Sequence, residues 1–129
     1  MKKFILLIML CVPSIALSST KEDLDYCATV KSWAAQKVID AAFEKDKQLD
    51  REKATSSLIE RTKLVEGNKP ITFKDWGQLY AQTIKVSIPY IDKQKKSAIF
   101  IASSIISAEE CSLTTPSYFD MTPEHYIFN

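Results

Sequence analysis

Apolar positions recur at helical spacing along most of the chain, and polar punctuation cuts the pattern into four stretches. The clearest runs from Tyr26 to Phe43, YCATVKSWAAQKVIDAAF. Leu24, Cys27, Ala28, Ala34, Ala35, Val38 and Ala42 share one helical face, and Val30, Trp33 and Phe43 widen it. Ser19 with Glu22, or Thr20 with Asp23, offers a capping box ahead of this stretch, and the acids suit the positive end of a helix dipole. The pattern fades at Glu44-Lys45-Asp46-Lys47.

The other three stretches read the same way. Asp50 can cap a second helix, with Leu49 stapled onto Ala54 and a face of Ala54, Leu58, Ile59, Thr62 and Val65. Gly67 can end it in the left-handed conformation, and Asn68-Lys69-Pro70 is a turn. Thr72 with Asp75 caps a third helix whose face is Phe73, Trp76, Leu79, Tyr80, Thr83, Ile84 and Ile88, and Pro89 ends it. Asp92 starts a fourth, in which Ala98, Ile99, Ile101, Ala102, Ile105, Ile106 and Ala108 lead to Cys111. By composition Ile99–Ile106, IFIASSII, is also a buried strand, but its length with flanks favours helix. Hairpin dipeptides such as Asn-Gly or Asp-Gly are absent, and Gly67 and Gly77 are the only glycines, which disfavours an all-β fold. The expectation is an all-α bundle of about four helices with antiparallel neighbours.

The two ends change the domain picture. Lys2, Lys3, the apolar run Phe4–Leu10 and the small residues of Ala16-Leu17-Ser18 read as a secretory signal over residues 1–18. That run is too short to span a bilayer, which takes about 20 residues, and no second one follows, so no stable membrane insertion is expected after cleavage. Cys11 leaves with the signal; Leu10 before it does not suit lipoprotein cleavage. The helical domain then occupies residues 19–111. Residues 112–129 form a tail with Tyr118, Phe119, Tyr126, Ile127 and Phe128, expected either to pack back on the bundle or to dock on a partner.

Cys27 and Cys111 remain, and two cysteines in an exported chain predict one disulfide in the periplasm. Taking Lys2 and Lys3 from the 17 basic residues leaves 15 against 16 acidic ones, a balance near −1. The signs are interspersed, so the chain has no footprint for nucleic acid.

Catalytic chemistry is hard to assemble. His125 is the only histidine. A triad would have to use it, with no mature cysteine outside the disulfide. A zinc site needs more ligands, and adjacent Glu109 and Glu110 diverge on a helix rather than face one point. No glycine-rich loop follows a strand. The expectation is therefore no enzyme, no metal and no cofactor. The aromatics Trp33, Trp76, Tyr80, Tyr118 and Phe119 are instead the candidate contacts to another protein, because aromatics concentrate at interface hot spots. A homodimer is left open as well.

The segment Gly67–Cys111, with Pro70, Thr72, Gln78, Leu79, Pro89, Ala98, Ala102, Ala108 and Cys111, resembles the Rap/Tai immunity proteins of type VI secretion. Cys27, Val38, Asp40 and Ala41 in the first stretch are similar, although the extra cysteines and Gly-rich first helix common in that family are missing. The resemblance implies a small helical periplasmic protein that blocks a secreted, cell-wall-degrading effector enzyme. A periplasmic chaperone or a secretion-apparatus accessory protein is the alternative.

Overall fold

Between Tyr80 and Ile88 the chain alternates: Gln82, Ile84, Val86 and Ile88 are buried, while Thr83, Lys85 and Ser87 are not. This is the period of a strand with one face on a core. Ala98–Ile106 repeats it with Ala98, Phe100, Ala102, Ser104 and Ile106 inside. The structure, a computed structural model, describes residues 14–125. The apolar run and Cys11 of the expected signal, and Tyr126–Asn129 of the expected tail, lie outside them.

In chain order the elements are α1 (Ser14–Tyr26), α2 (Trp33–Lys45), β1 (Thr55–Lys63), β2 (Val65–Glu66), β3 (Lys69–Pro70), β4 (Tyr80–Ile88), β5 (Ala98–Ile106) and β6 (Ser117–Asp120), with short 3-10 turns at Arg51–Lys53, Lys74–Trp76 and Pro123–His125. The main sheet has the order β1-β4-β5-β6, and all its pairs are antiparallel. β2 and β3 form a separate hairpin. One face of the sheet packs on α2: Ala34, Ala35, Val38, Ile39 and Ala42 meet Ile84, Val86, Ile88, Ala98, Phe100 and Ala102. The alanines let the helix lie close to the sheet, and burying Ile39 alone contributes about 1.5–3 kcal/mol.

The all-α bundle expected from the sequence is contradicted. The second expected helix is a 3-10 turn followed by β1 and β2, the third is a 3-10 turn followed by β4, and the fourth is β5. The resemblance had also implied helix over Gly67–Cys111, and that segment is mostly strand and loop. Helical spacing can be picked out of β4 and β5 because they are rich in apolar residues, but they are also β-branched and alternate, whereas β1 is mostly exposed and is held by pairing with β4. Packing beneath α2 selects the strand. The first stretch is half right. Its later part is α2, started by Ser32, whose Oγ accepts from the Ala35 amide at 3.4 Å. Its earlier part is not one helix: α1 ends at Tyr26, and Cys27–Ser32 turns the chain, so Ser19 and Thr20 lie inside α1 rather than ahead of a helix.

Two devices hold the end of α1 to the sheet. Cys27 and Cys111 form the expected disulfide, with an S–S distance of 2.01 Å, closing 84 residues of separation. A loop of that size constrains the unfolded chain by about 4.5 kcal/mol in the chain-entropy model, an upper figure. Beside it, buried Gln82 donates to the Cys27 carbonyl at 3.0 Å and accepts from Arg61 Nε and Nη2 at 3.1 and 2.9 Å. Arg61 also reaches the Leu24 carbonyl at 2.7 Å and Asp25 Oδ1 at 3.0 Å. The Arg61 hydrogen bond, and then Lys21, hold the Asp25 carboxyl below the usual carboxylate range.

A clasped aromatic arm as the candidate contact site

Between β1 and β4 the chain leaves the sheet for sixteen residues, Leu64–Leu79, and it is pinned where it leaves. Leu64, Ile71 and Leu79 meet at a three-way junction. The Leu64 amide donates to the Leu79 carbonyl at 3.0 Å, Leu79 donates to Ile71 at 3.0 Å, and Ile71 donates to Leu64 at 2.9 Å. The ring closes on itself, so every carbonyl in it already has one partner. The Gln78 side chain covers the ring: its Nε2 lies 2.8, 3.1 and 2.9 Å from the carbonyls of Leu64, Ile71 and Leu79. An amide nitrogen has two protons to give, and here they serve three acceptors.

Two lobes extend from this junction. The first is the hairpin β2–β3, turned by Gly67-Asn68 with Gly67 at φ +65°, a value that favours glycine. The second is the loop Thr72–Gln78, closed by the Thr72–Gln78 bridge and by the Phe73 amide donating to the Gly77 carbonyl at 3.0 Å. Gly77 sits at φ +73°, ψ −147°, which only glycine adopts readily. Lys74 is at φ +46°, the one non-glycine residue of positive φ among the described residues. Holding a side-chain-bearing residue there costs about 1–2 kcal/mol. Phe73 and Trp76 flank Lys74 and are 46% and 36% exposed. The arm thus presents two aromatic rings on a backbone whose shape is set before anything binds.

The five aromatics singled out in the sequence do not form one patch. Trp76 stands on the arm. Trp33 starts α2 with Lys37 Nζ 4.5 Å above its ring. It lines an open cleft of about 480 Å³ at the disulfide end, together with Asp23, Tyr26, Lys31, Glu109 and Glu110. Tyr80 packs half-buried against Leu24, Cys27 and Ile106. Tyr118 and Phe119 are neighbours on β6 but face opposite ways, as successive strand residues do. Tyr118 sits edge-on to Phe100 with ring centroids 6.1 Å apart. Phe119, opposite Ile101 on the face away from α2, is 68% exposed. There it extends a line of half-buried Ile99, Ile101 and Ile105, since β5 is apolar on both faces. Cys27 and Cys111 are in the disulfide and are not contact residues. Sequence reasoning missed Phe73, which it placed on a core face. The signal that could have found it is the Phe-Lys-Asp-Trp-Gly sequence, a turn composition between two strand patterns.

His125 is exposed and has its Nδ1 2.6 Å from Asp120 Oδ2. Burial raises the Asp120 pKa, but hydrogen bonds from Thr122 and His125 outweigh it and hold the carboxyl below its ordinary range. The pair borders a small apolar cavity of about 110 Å³, also lined by Leu49, Tyr90, Phe100 and Tyr118. Among the described residues its lining includes no serine, threonine or cysteine to act as nucleophile. Among the described residues no three His, Cys, Asp or Glu are grouped to hold a metal ion, and no helix is long and apolar enough to cross a membrane. Compared with known proteins, the chain matches no family model, no curated protein and no solved structure.

Proposed function

We propose that the protein is a small exported, non-enzymatic binding protein of the inhibitor or immunity kind. It contacts another protein through the arm, with Phe73 and Trp76 as anchors. The observation that carries this reading is the pre-formed loop Thr72–Gln78, clasped at its base and exposing two aromatic rings. A binding loop that is rigid before contact loses little conformational freedom on contact. A partner such as a secreted effector enzyme suits it, and a blocker of a cell-wall-degrading type VI effector is the form that the Rap/Tai resemblance suggests. The disulfide fits the oxidising periplasm to which the signal reading sends the chain. A chaperone would need broad apolar surface, whereas this reading needs only the two rings of the arm.

Site-specific photo-cross-linking tests the reading. A cross-linking residue at position 76 of the full chain, produced in its own cells, should give one discrete adduct, and the same residue at Lys53 should not. Lack of an adduct from position 76, or the same adduct from both positions, overturns the reading.

A further inference from the structure

The cavity beside His125 exists because small residues meet there. Ala41 and Ala42 line it from α2, and Ala98 lines it from β5. Buried Leu49, Tyr90 and Phe100 complete the walls with Tyr118, whose ring is edge-on to Phe100. Protein interiors are close-packed, and an apolar void shrinks where its walls can settle inward. These walls are tied back. On one side the Leu49–Tyr90 bridge joins the segment after α2 to the end of β4. The Asp50 amide donates to the Pro89 carbonyl there at 2.7 Å, and the Ile91 amide to the Gln48 carbonyl at 2.9 Å. On the other side the Met121 amide donates to the Ile99 carbonyl at 2.7 Å, and the buried Thr122 hydroxyl accepts from the Ile99 amide at 2.9 Å. Charged side chains stand at the rim, where Lys45 and His125 are exposed and Asp46 and Asp120 half-buried. Both carboxylates are engaged. Asp46 accepts from the Gln48 amide at 3.0 Å, and Asp120 accepts from the Thr122 amide at 2.9 Å and pairs with His125. Among the described residues the walls offer no partner to a charge, and a charge leaving water without a partner is costly.

Volume sets the size of what fits. A cavity of about 150 Å³ with aliphatic and aromatic walls stays dry and takes up benzene or xenon. One of about 110 Å³ admits a single ring of that kind at most, and no sugar, nucleotide or larger cofactor. We propose that this cavity is a binding site for one small uncharged apolar molecule, no larger than benzene, which enters past the polar rim and packs against Phe100 and Tyr118. The site shares no residue with the arm and does not depend on the arm's role.

Benzene is the probe, followed through the methyl resonances of the folded protein. It should shift those of Ala41, Ala42, Leu49 and Ala98 saturably, leave Ile101 on the opposite face of the sheet unmoved, and raise the melting temperature as the site fills. Benzoate and benzylamine carry the same ring with a charge of either sign, and naphthalene adds a second ring. All three should bind at least tenfold more weakly. Ala42→Leu and Ala98→Val fill the cavity from different walls, and whichever folds should lose the benzene shifts. Should neither fold, the selectivity of the wild type decides alone. The inference is overturned by a lack of saturable shifts at the cavity methyls, by equal shifts at Ile101, by equal binding of benzoate or naphthalene, or by undiminished binding in a folded variant. Benzene bound only after residues 126–129 are removed would make the chain's own end the occupant and would overturn it equally.

Discussion

Replacing Gln78 tests how the arm is held. Gln78→Leu keeps the bulk and removes two N–H donors from three carbonyls. At about 0.5–1.5 kcal/mol per hydrogen bond the loss would be roughly 1–3 kcal/mol. The carbonyls of Leu64, Ile71 and Leu79 keep their backbone donors, so no buried group is left wholly unpaired. This puts the cost in the lower part of that range, about 1–2 kcal/mol. For a domain of this size the melting temperature should fall by about 3–10 °C. Gln78→Glu should be worse at pH 7, because it brings a negative oxygen to three carbonyl oxygens. The gap between the two variants should narrow as pH falls toward about 4, where a glutamate takes up a proton and regains a donor. Thermal melts of both variants at pH 7 and pH 4 give the magnitudes. Hydrogen exchange at the Leu64, Ile71 and Leu79 amides shows whether the junction itself opens. Unchanged protection at these three amides in Gln78→Leu, or equal stability of Leu and Glu variants at pH 7, would refute the clasp.

On the export reading, non-reducing mass spectrometry of the mature chain should find no free thiol, and Cys27→Ser should cost ~2–4 kcal/mol in urea melts; two alkylatable cysteines without reduction would contradict this. Asp25 and Asp120 have depressed pKa values in the fold, so their stabilisation is present above the unfolded carboxylate value, about 3.9, and is lost as pH falls through the folded values. Stability should therefore hold above about pH 5 and drop below about pH 4, with a shallower drop in Asp25→Asn; a drop of equal steepness in that variant would remove Asp25 from the account. Gly77→Ala should cost about 1–3 kcal/mol from backbone strain alone, since an added Cβ would meet nothing within 4 Å; a neutral effect in a thermal melt would mean that the loop can relax.

Parts of this fold could be read from the sequence because they rest on short-range chemistry. α2 has its small-residue face, although its cap is Ser32 and not the Ser19 or Thr20 that the sequence suggested. The disulfide follows from two cysteines and the expectation of export. Strand and helix were confused where both patterns fit. In YAQTIKVSI, Tyr80, Thr83, Ile84 and Ile88 satisfy a helix, while Ile84, Val86 and Ile88 against Lys85 and Ser87 satisfy a strand. What decides is α2 lying across that face, a long-range fact. The hairpin was within reach. Gly67-Asn68 between Val65-Glu66 and Lys69-Pro70 is a two-residue turn with glycine first, and attention to Asn-Gly and Asp-Gly alone passed over it. The arm could not be read in this way. Trp76 was noticed for its size, but Gln78 became a clasp only because Leu64 and Ile71, distant in sequence, bring their carbonyls to it beside that of its neighbour Leu79. Tyr80 drew the same attention as Trp76 and turned out to be packing for the disulfide.

The central claim is that the arm carries binding and the rest of the chain carries the fold. The most direct measurement is a calorimetric titration of wild type and of the Phe73→Ala/Trp76→Ala variant against the protein captured through position 76, with thermal melts of both. Both rings are partly exposed, so the account predicts melting temperatures within a few degrees of each other. It also predicts a stoichiometric complex for wild type and an affinity lowered at least ~30-fold in the variant, since a hot-spot residue is worth 2 kcal/mol or more. Equal affinity at equal stability would contradict the claim and move the contact site elsewhere on the molecule.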